Sequence, residues 1–312
     1  MKRVVFFLWI SLTVFQCASQ KQTAMDSWSY PYPIQYLELA DDLRVAYVEE
    51  GKGETTLLFI HGLGSNLKAW QKNIATLSDD YRCIALDLPG YGKSSKGDYS
   101  FSMQFFAETI NAFVQKKRLK NVVLVGHSMG GQIAVHALLQ NPTIAQQLVL
   151  VASAGFEQFT EQERNWFASV YTPAVVKMTS EEQIVKNFEL NFVELPEDAR
   201  FMIDDRLEMK ASEAYDYYCN MIPQCVNAML TEPIFDRLST ITLPTLVLYG
   251  EQDALIPNTF LHPTLDIAQV AKAGSGQLAD SKLILVPAAG HFVNWEQAAA
   301  VNEAIYTFLD EQ

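Results

Sequence analysis

Residues Val122-Val123-Leu124-Val125 form an apolar run that passes without a linker into Gly126-His127-Ser128-Met129-Gly130-Gly131, and then into a helix-compatible stretch from Gln132 to Gln140. Few arrangements accept that order. A strand must end in a sharp turn, present one serine at its apex and hand over at once to a helix packed against the same strand. Gly126 and Gly130 lack a Cβ where strand and helix come closest, and the turn strains the serine backbone so that its hydroxyl projects from the top of the sheet. The helix start adds the positive end of its dipole beside that hydroxyl. Such a unit belongs to a mostly parallel sheet with helices on its faces.

The rest of the chain carries the same alternation. Gln35 to Leu39 and Arg44 to Val48 read as an edge pair around an Asp41-Asp42 turn. Thr56 to Ile60, Tyr81 to Leu86 and Asn121 to Val125 are continuous apolar runs, as buried parallel strands are. Between them Phe106, Ile110, Phe113 and Val114 recur at helical spacing and predict a crossover helix. Leu148 to Val151, Thr245 to Tyr249 and Lys282 to Val286 supply later strands, and Val301, Ile305, Phe308 and Leu309 line a closing helix. From about Phe156 to Leu230 no good strand occurs, whereas Thr160 with Glu163 and Ser180 with Gln183 both fit a capping box, and Pro196 fits a first helical turn. That insertion is rich in Phe, Tyr and Met, which suggests an apolar lid.

The amino terminus is a separate object. Lys2 and Arg3 precede an apolar run from Val4 to Phe15, and Cys17-Ala18-Ser19 leads into a polar stretch. This is the charged, apolar, small-residue layout of an export signal, and it is too short to span a bilayer comfortably. A signal ending at a cysteine resembles a bacterial lipoprotein signal, in which Cys17 would be lipidated; Gln16 departs from the small residue preferred there, and cleavage near Ser19 would instead release a soluble chain. Acids outnumber Lys plus Arg by 36 to 23, giving net −13, a field that repels phosphate backbones and excludes nucleic acid as a partner. Four scattered cysteines form neither a disulfide scaffold nor a zinc set, so no metal site is expected. Cys219 and Cys225, six apart in the insertion, are either a pair or two buried thiols.

A serine hydroxyl is a poor nucleophile at neutral pH and needs an imidazole oriented by a carboxylate. Of the five histidines, His127 adjoins the serine and its side chain should point away from the hydroxyl. His136 falls in the following helix, His61 braces a glycine loop, and His262 sits in a polar loop after Pro257. His291 follows the last strand and Pro287-Ala288-Ala289-Gly290, at the carboxyl end of a strand where ligands bind in open α/β sheets. His291 is therefore the expected base. Asp253 lies just beyond the strand ending at Tyr249, with Glu251 as its local competitor.

His61-Gly62-Leu63-Gly64, Asp87-Leu88-Pro89-Gly90-Tyr91-Gly92-Lys93-Ser94 and Gly126-His127-Ser128-Met129-Gly130-Gly131, in that order, resemble the α/β-hydrolase superfamily over residues 35 to 312. The similarity is greatest to the branch of capped esterases, C–C hydrolases, epoxide hydrolases and haloperoxidases. The resemblance implies an α/β-hydrolase fold: an eight-stranded, mostly parallel sheet with helices on both faces and a helical cap after the sixth strand. It implies the order nucleophile, acid, base, with the acid at Asp253, since Val151 to Gly155 offers no carboxylate at the other position that relatives use. His291 fits the family's Gly-His signature, with Glu296 five residues on. The second oxyanion donor is implied to be the amide of Leu63, beside that of Met129 directly after the nucleophile.

The expected organisation is an export signal over 1–16, a tether over 17–33, a core of 34–155 and 231–312, and a helical cap over 156–230. The expected activity is hydrolysis of small apolar carboxylic esters by Ser128, His291 and Asp253 without a cofactor, in a protein exported to the periplasm or anchored facing it. A serine nucleophile argues against dehalogenase and epoxide hydrolase chemistry, which use aspartate. Hydrolysis of C–C bonds in ring-cleavage products keeps the serine but relies on an added cationic group, to which the sequence assigns no residue. A non-catalytic small-ligand binder on the same fold is the alternative of another class.

Overall fold

The computed structural model describes residues 24–311; the segment expected to be an export signal, Cys17 and the first part of the expected tether lie outside the described residues. Eight strands form one sheet in the order β1-β2-β4-β3-β5-β6-β7-β8. They are β1 (Gln35–Ala40), β2 (Leu43–Glu50), β3 (Thr56–Ile60), β4 (Arg82–Leu86), β5 (Val122–His127), β6 (Gln147–Val151), β7 (Thr245–Gly250) and β8 (Ser281–Val286). Only β2 runs against its neighbours; every pair from β4 through β8 is parallel. Every residue of β3, β5 and β7 is buried, because helices cover both faces and leave no side that a polar residue could use. The edge strand β1 instead alternates between exposed and half-buried positions.

The crossover helix Met103–Lys117 buries Phe106, Ile110, Phe113 and Val114, the stripe its spacing predicts. Ser102 caps it by accepting from the Phe105 amide at 2.9 Å, and Arg118 closes it in the left-handed conformation. Strand order places β5 at the centre of the sheet, so the turn at its carboxyl end is held by strands on both sides. Parallel β strands all end at the same edge, which gathers the loops after β3, β5, β7 and β8 into one place.

Between β6 and β7 the chain leaves the sheet and forms five α-helices, Glu161–Val170, Pro173–Met178, Glu181–Glu189, Phe201–Lys210 and Ala214–Thr231. Thr160 and Glu163 make both bonds of a capping box. Ser180 makes only its half of the second one, because the Gln183 side-chain amide is engaged with Asn187 one turn on at 2.7 Å. Pro196 precedes a single 3₁₀ turn, Glu197–Ala199, rather than sitting inside an α-helix. Cys219 and Cys225 are separate buried thiols. Both lie on one continuous helix, where six residues separate them by roughly 9 Å along the axis, beyond disulfide reach. The Cys225 sulfur takes a hydrogen bond from the Tyr91 hydroxyl at 3.2 Å.

The tether expectation is corrected for residues 24–33. Met25 and Trp28 are buried, and the Tyr30 hydroxyl donates to Asp87 Oδ2 at 2.7 Å. Lys68 Nζ stands over the Trp28, Tyr30 and Phe201 rings and pairs with Asp205 of the cap at 2.5 Å. A segment carrying this many aromatic groups gains more by packing against a cation and an apolar wall than by remaining solvated.

Candidate active site

Ser128 occupies the turn between β5 and the helix Met129–Gln140, with φ 54° and ψ −120°. A positive φ at a residue other than glycine is strained, and it persists only where neighbours hold it. Here the Ser128 amide donates to the Val151 carbonyl at 2.9 Å, and its own carbonyl accepts from Ala154 at 3.0 Å. The flanking glycines are required by contact. A Cβ on Gly126 would stand 2.4 Å from the Gly130 carbonyl oxygen, and one on Gly130 2.2 Å from that of Ile60.

The loops after β7 and β8 bring Asp253 and His291 together across 38 residues of sequence: His291 Nδ1 lies 2.8 Å from Asp253 Oδ2. The other carboxylate oxygen, Oδ1, accepts from the amides of Leu255 at 2.9 Å and Ile256 at 3.0 Å. Both side chains are almost wholly buried, at 0 % exposure for Asp253 and 6 % for His291. A buried carboxylate with three donors on it is fully engaged and rigid. Its competitor Glu251 is exposed at the end of β7, its amide donating to the Val286 carbonyl at 2.9 Å. Because Nδ1 of His291 donates to Asp253, the ring's Nε2 is left as the acceptor.

The other histidines are accounted for. His127 turns away from the turn, donating through Nε2 to the His291 carbonyl at 2.9 Å. Its pKa is pushed down to about 3, first by burial and then by the charge of His291, so it stays neutral. His61 accepts from the Leu88 amide at 3.1 Å and its other nitrogen faces the Gly62 carbonyl at 2.8 Å; burial lowers its pKa. His136 lies against the Glu232 carbonyl.

Ser128, His291, Leu63 and Gly62 line one cavity of about 470 Å³ beneath the cap. Phe159, Phe167, Tyr171, Val226, Met229 and Leu230 form much of its apolar wall. Gly62 stands close: a Cβ there would be 3.0 Å from Ser128 Cβ. Leu63 follows Gly62 in the loop after β3, and Met129 is the first residue of the helix after Ser128, so the two expected donor residues flank the serine from different elements.

A model of the alpha/beta hydrolase fold family matches residues 55–298. The chain belongs to that family. Among its relatives, the dihydrolipoyllysine-residue acetyltransferase component of the acetoin cleaving system of Cupriavidus necator is 31 % identical over 219 residues, 70 % of this chain but 57 % of that longer protein. The Bacillus subtilis protein described as uncharacterized hydrolase YugF is 28 % identical, over 86 % of this chain and 95 % of its own length. A probable hydrolytic enzyme from Pseudomonas aeruginosa PAO1 superposes with a TM-score of 0.82 at 25 % identity, over 91 % of this α/β-hydrolase and 96 % of that chain.

Three features of this hydrolase-family chain escaped the sequence reading. Asp87 is a fully buried brace that accepts from Tyr30, Leu67 and Lys93; the Asp-Leu-Pro-Gly-Tyr-Gly motif was its only trace. His262 bridges Glu157 at 2.5 Å and Glu163 at 3.2 Å, joining the loop after β7 to the cap. Arg206 reaches from the cap helix Phe201–Lys210 to donate to the Gly64 carbonyl, its guanidinium 4.2 Å over the Tyr218 ring and 5.3 Å over that of Phe188. It lines a second cavity of about 300 Å³ that shares Leu63, Tyr171, Asn191, Leu255 and Phe292 with the first. Nothing in a lone cap arginine signals this in sequence.

Proposed function

We propose that this protein is a serine hydrolase of carboxylic esters with apolar groups. The observation that carries the reading is the 2.8 Å contact from His291 Nδ1 to Asp253 Oδ2, which leaves Nε2 as an acceptor in the cavity that Ser128 lines. In the proposed reaction Ser128 Oγ attacks the ester carbonyl carbon and its proton passes to His291 Nε2. The Leu63 and Met129 amides hold the oxygen that becomes negative. When the carbon–oxygen bond breaks, the alcohol leaves with the proton from His291 and an acyl-Ser128 ester remains. Water then adds to that ester, giving its proton to His291, and the acid departs as Ser128 recovers its own.

A fluorophosphonate probe tests the proposal against a non-catalytic binder. Stoichiometric labelling of Ser128, with hydrolysis of p-nitrophenyl esters by the same sample, supports it. Absence of both refutes it. C–C bond hydrolysis is a second reading favoured by Arg206, which has no carboxylate partner among the described residues and lines the cavity adjoining the one that holds Ser128, as a candidate for the cationic group that this chemistry needs. Turnover of a vinylogous diketone carrying a carboxylate, lost in Arg206→Met while neutral esters are still cleaved, would favour it over the first.

We also propose export through residues 1–16, with Cys17 as the lipidated first mature residue. Intact-mass analysis decides this: an unmodified terminus downstream of Cys17 refutes the lipid.

A further inference from the structure

Exposed large apolar side chains are not scattered over this molecule. Apart from Tyr36 on the edge strand, those among the described residues fall in two segments, 166–193 of the cap and 255–265 of the loop after β7. The two segments meet. The exposed rings of Trp166 and Phe260 stack across the boundary between cap and core, with centroids 5.1 Å apart and planes within 21°. The helix carrying Trp166 buries none of its residues. Leu255, 37 % exposed, lines both cavities, and Val175, 42 % exposed, lines the second. Exposed apolar side chains therefore reach from the boundary between cap and core to Leu255, which also lines the cavity that holds Ser128.

A patch of this kind marks a surface that something covers. Met178 and Phe260 stand out at 75 % and 72 % exposure, protruding from the surface rather than flooring a groove. A rigid partner seated on this rim would seal the cavity, whereas a fluid layer closes around each side chain and leaves the mouth open to its own molecules. Over residues 156–200 nine acids face four bases, so the rim is repelled by an anionic layer and tolerated by a zwitterionic one. Tryptophan is also the residue that settles at the boundary between headgroups and acyl chains.

We propose that the cap rim docks on a zwitterionic lipid surface, and that esters dissolved in that surface enter past Leu255 to reach Ser128. The inference rests on the ester-hydrolase reading for its substrate, though not for the docking itself.

The test uses the full chain and the double variant Met178→Glu with Phe260→Glu, neither of which lines either cavity. On a dissolved short-chain ester the variant should keep kcat/KM within about twofold, because the cavity is untouched. On a long-chain ester carried in phosphatidylcholine vesicles it should fall at least about tenfold. Separately, phosphatidylcholine vesicles should shift tryptophan emission to the blue in the wild type. That shift should shrink with phosphatidylglycerol vesicles and with Trp166→Phe. Vesicle turnover equal to wild type in the double variant overturns the docking surface, as does an equal loss on both substrates or an undiminished shift in Trp166→Phe. A dimer that the double variant dissolves while vesicle turnover persists would assign the patch to a second copy instead. If the wild type hydrolyses no dissolved ester and Ser128 resists labelling, the ester reading fails alone, and the Trp166 shift still decides the surface.

Discussion

Replacing Asp253 by Asn changes one oxygen for nitrogen and leaves the shape of the site intact, yet the geometry requires that it nearly abolish catalysis. In the wild type Oδ1 accepts from two backbone amides, those of Leu255 and Ile256, while Oδ2 accepts from His291 Nδ1. An asparagine must choose which end carries its single oxygen. Turning the amino group toward Leu255 and Ile256 would leave the buried Ile256 amide without an acceptor, at about 1–3 kcal/mol, and strip the part-buried Leu255 amide of its partner as well. The oxygen therefore stays with the backbone and the amino group faces His291. Nδ1 must then accept, the ring carries its hydrogen on Nε2, and that nitrogen can no longer take the Ser128 proton. A wrong tautomer of this kind lowers kcat on the order of 10⁴-fold, equivalent to about 5.4 kcal/mol of transition-state stabilisation. The assay is kcat/KM on p-nitrophenyl butyrate beside urea unfolding. The expected result is that loss, with stability within about 1 kcal/mol of wild type. An Asn variant retaining more than a tenth of wild-type kcat/KM would refute the reasoning, because His291 would then be oriented by something other than Asp253.

Ser128→Ala should lower ester turnover on the order of 10⁴-fold to 10⁶-fold and abolish fluorophosphonate labelling, with circular dichroism unchanged. His127 bears on acid stability. Its folded pKa of about 3 lies below the unfolded 6.5, so between those values the unfolded chain binds a proton that the folded chain does not. Stability is then lost as pH falls below 6.5. His127→Gln retains a donor for the His291 carbonyl but cannot take that proton, so from pH 6.5 to 5.0 wild type should lose about 1.6 kcal/mol more than the variant in urea titrations. Gly126→Ala drives a methyl group to 2.4 Å from the Gly130 carbonyl oxygen and should destabilise by about 1–3 kcal/mol. Val226→Trp fills part of the cavity wall and should cut kcat/KM on an octanoyl ester at least about tenfold while an acetyl ester is little affected, measured as a chain-length series.

The sequence by itself determined the strands, the crossover helix, the turn at Ser128 and the insertion after β6. Each of these is written in the spacing of residues a few places apart: apolar runs where both faces of the sheet are covered, glycines where a Cβ would collide, caps where helix amides lack partners. It also pointed to His291 as the base and to Asp253 as the acid, with Glu251 as its local competitor, because both strand ends are legible locally. Only the tertiary structure brings Asp253, and not Glu251, against His291, since the contact depends on how the loops after β7 and β8 are set against each other. The same holds for residues 24–33, which read as part of a tether until Lys68 and Asp87 provide something to pack against. It holds for Arg206, whose meaning lies in Gly64, Phe188 and Tyr218 around it, and for Trp166 and Phe260, which stack 94 positions apart. Spacing along a chain encodes which face of an element a side chain occupies. What that face meets is set by the path of the whole fold, and no local pattern carries it.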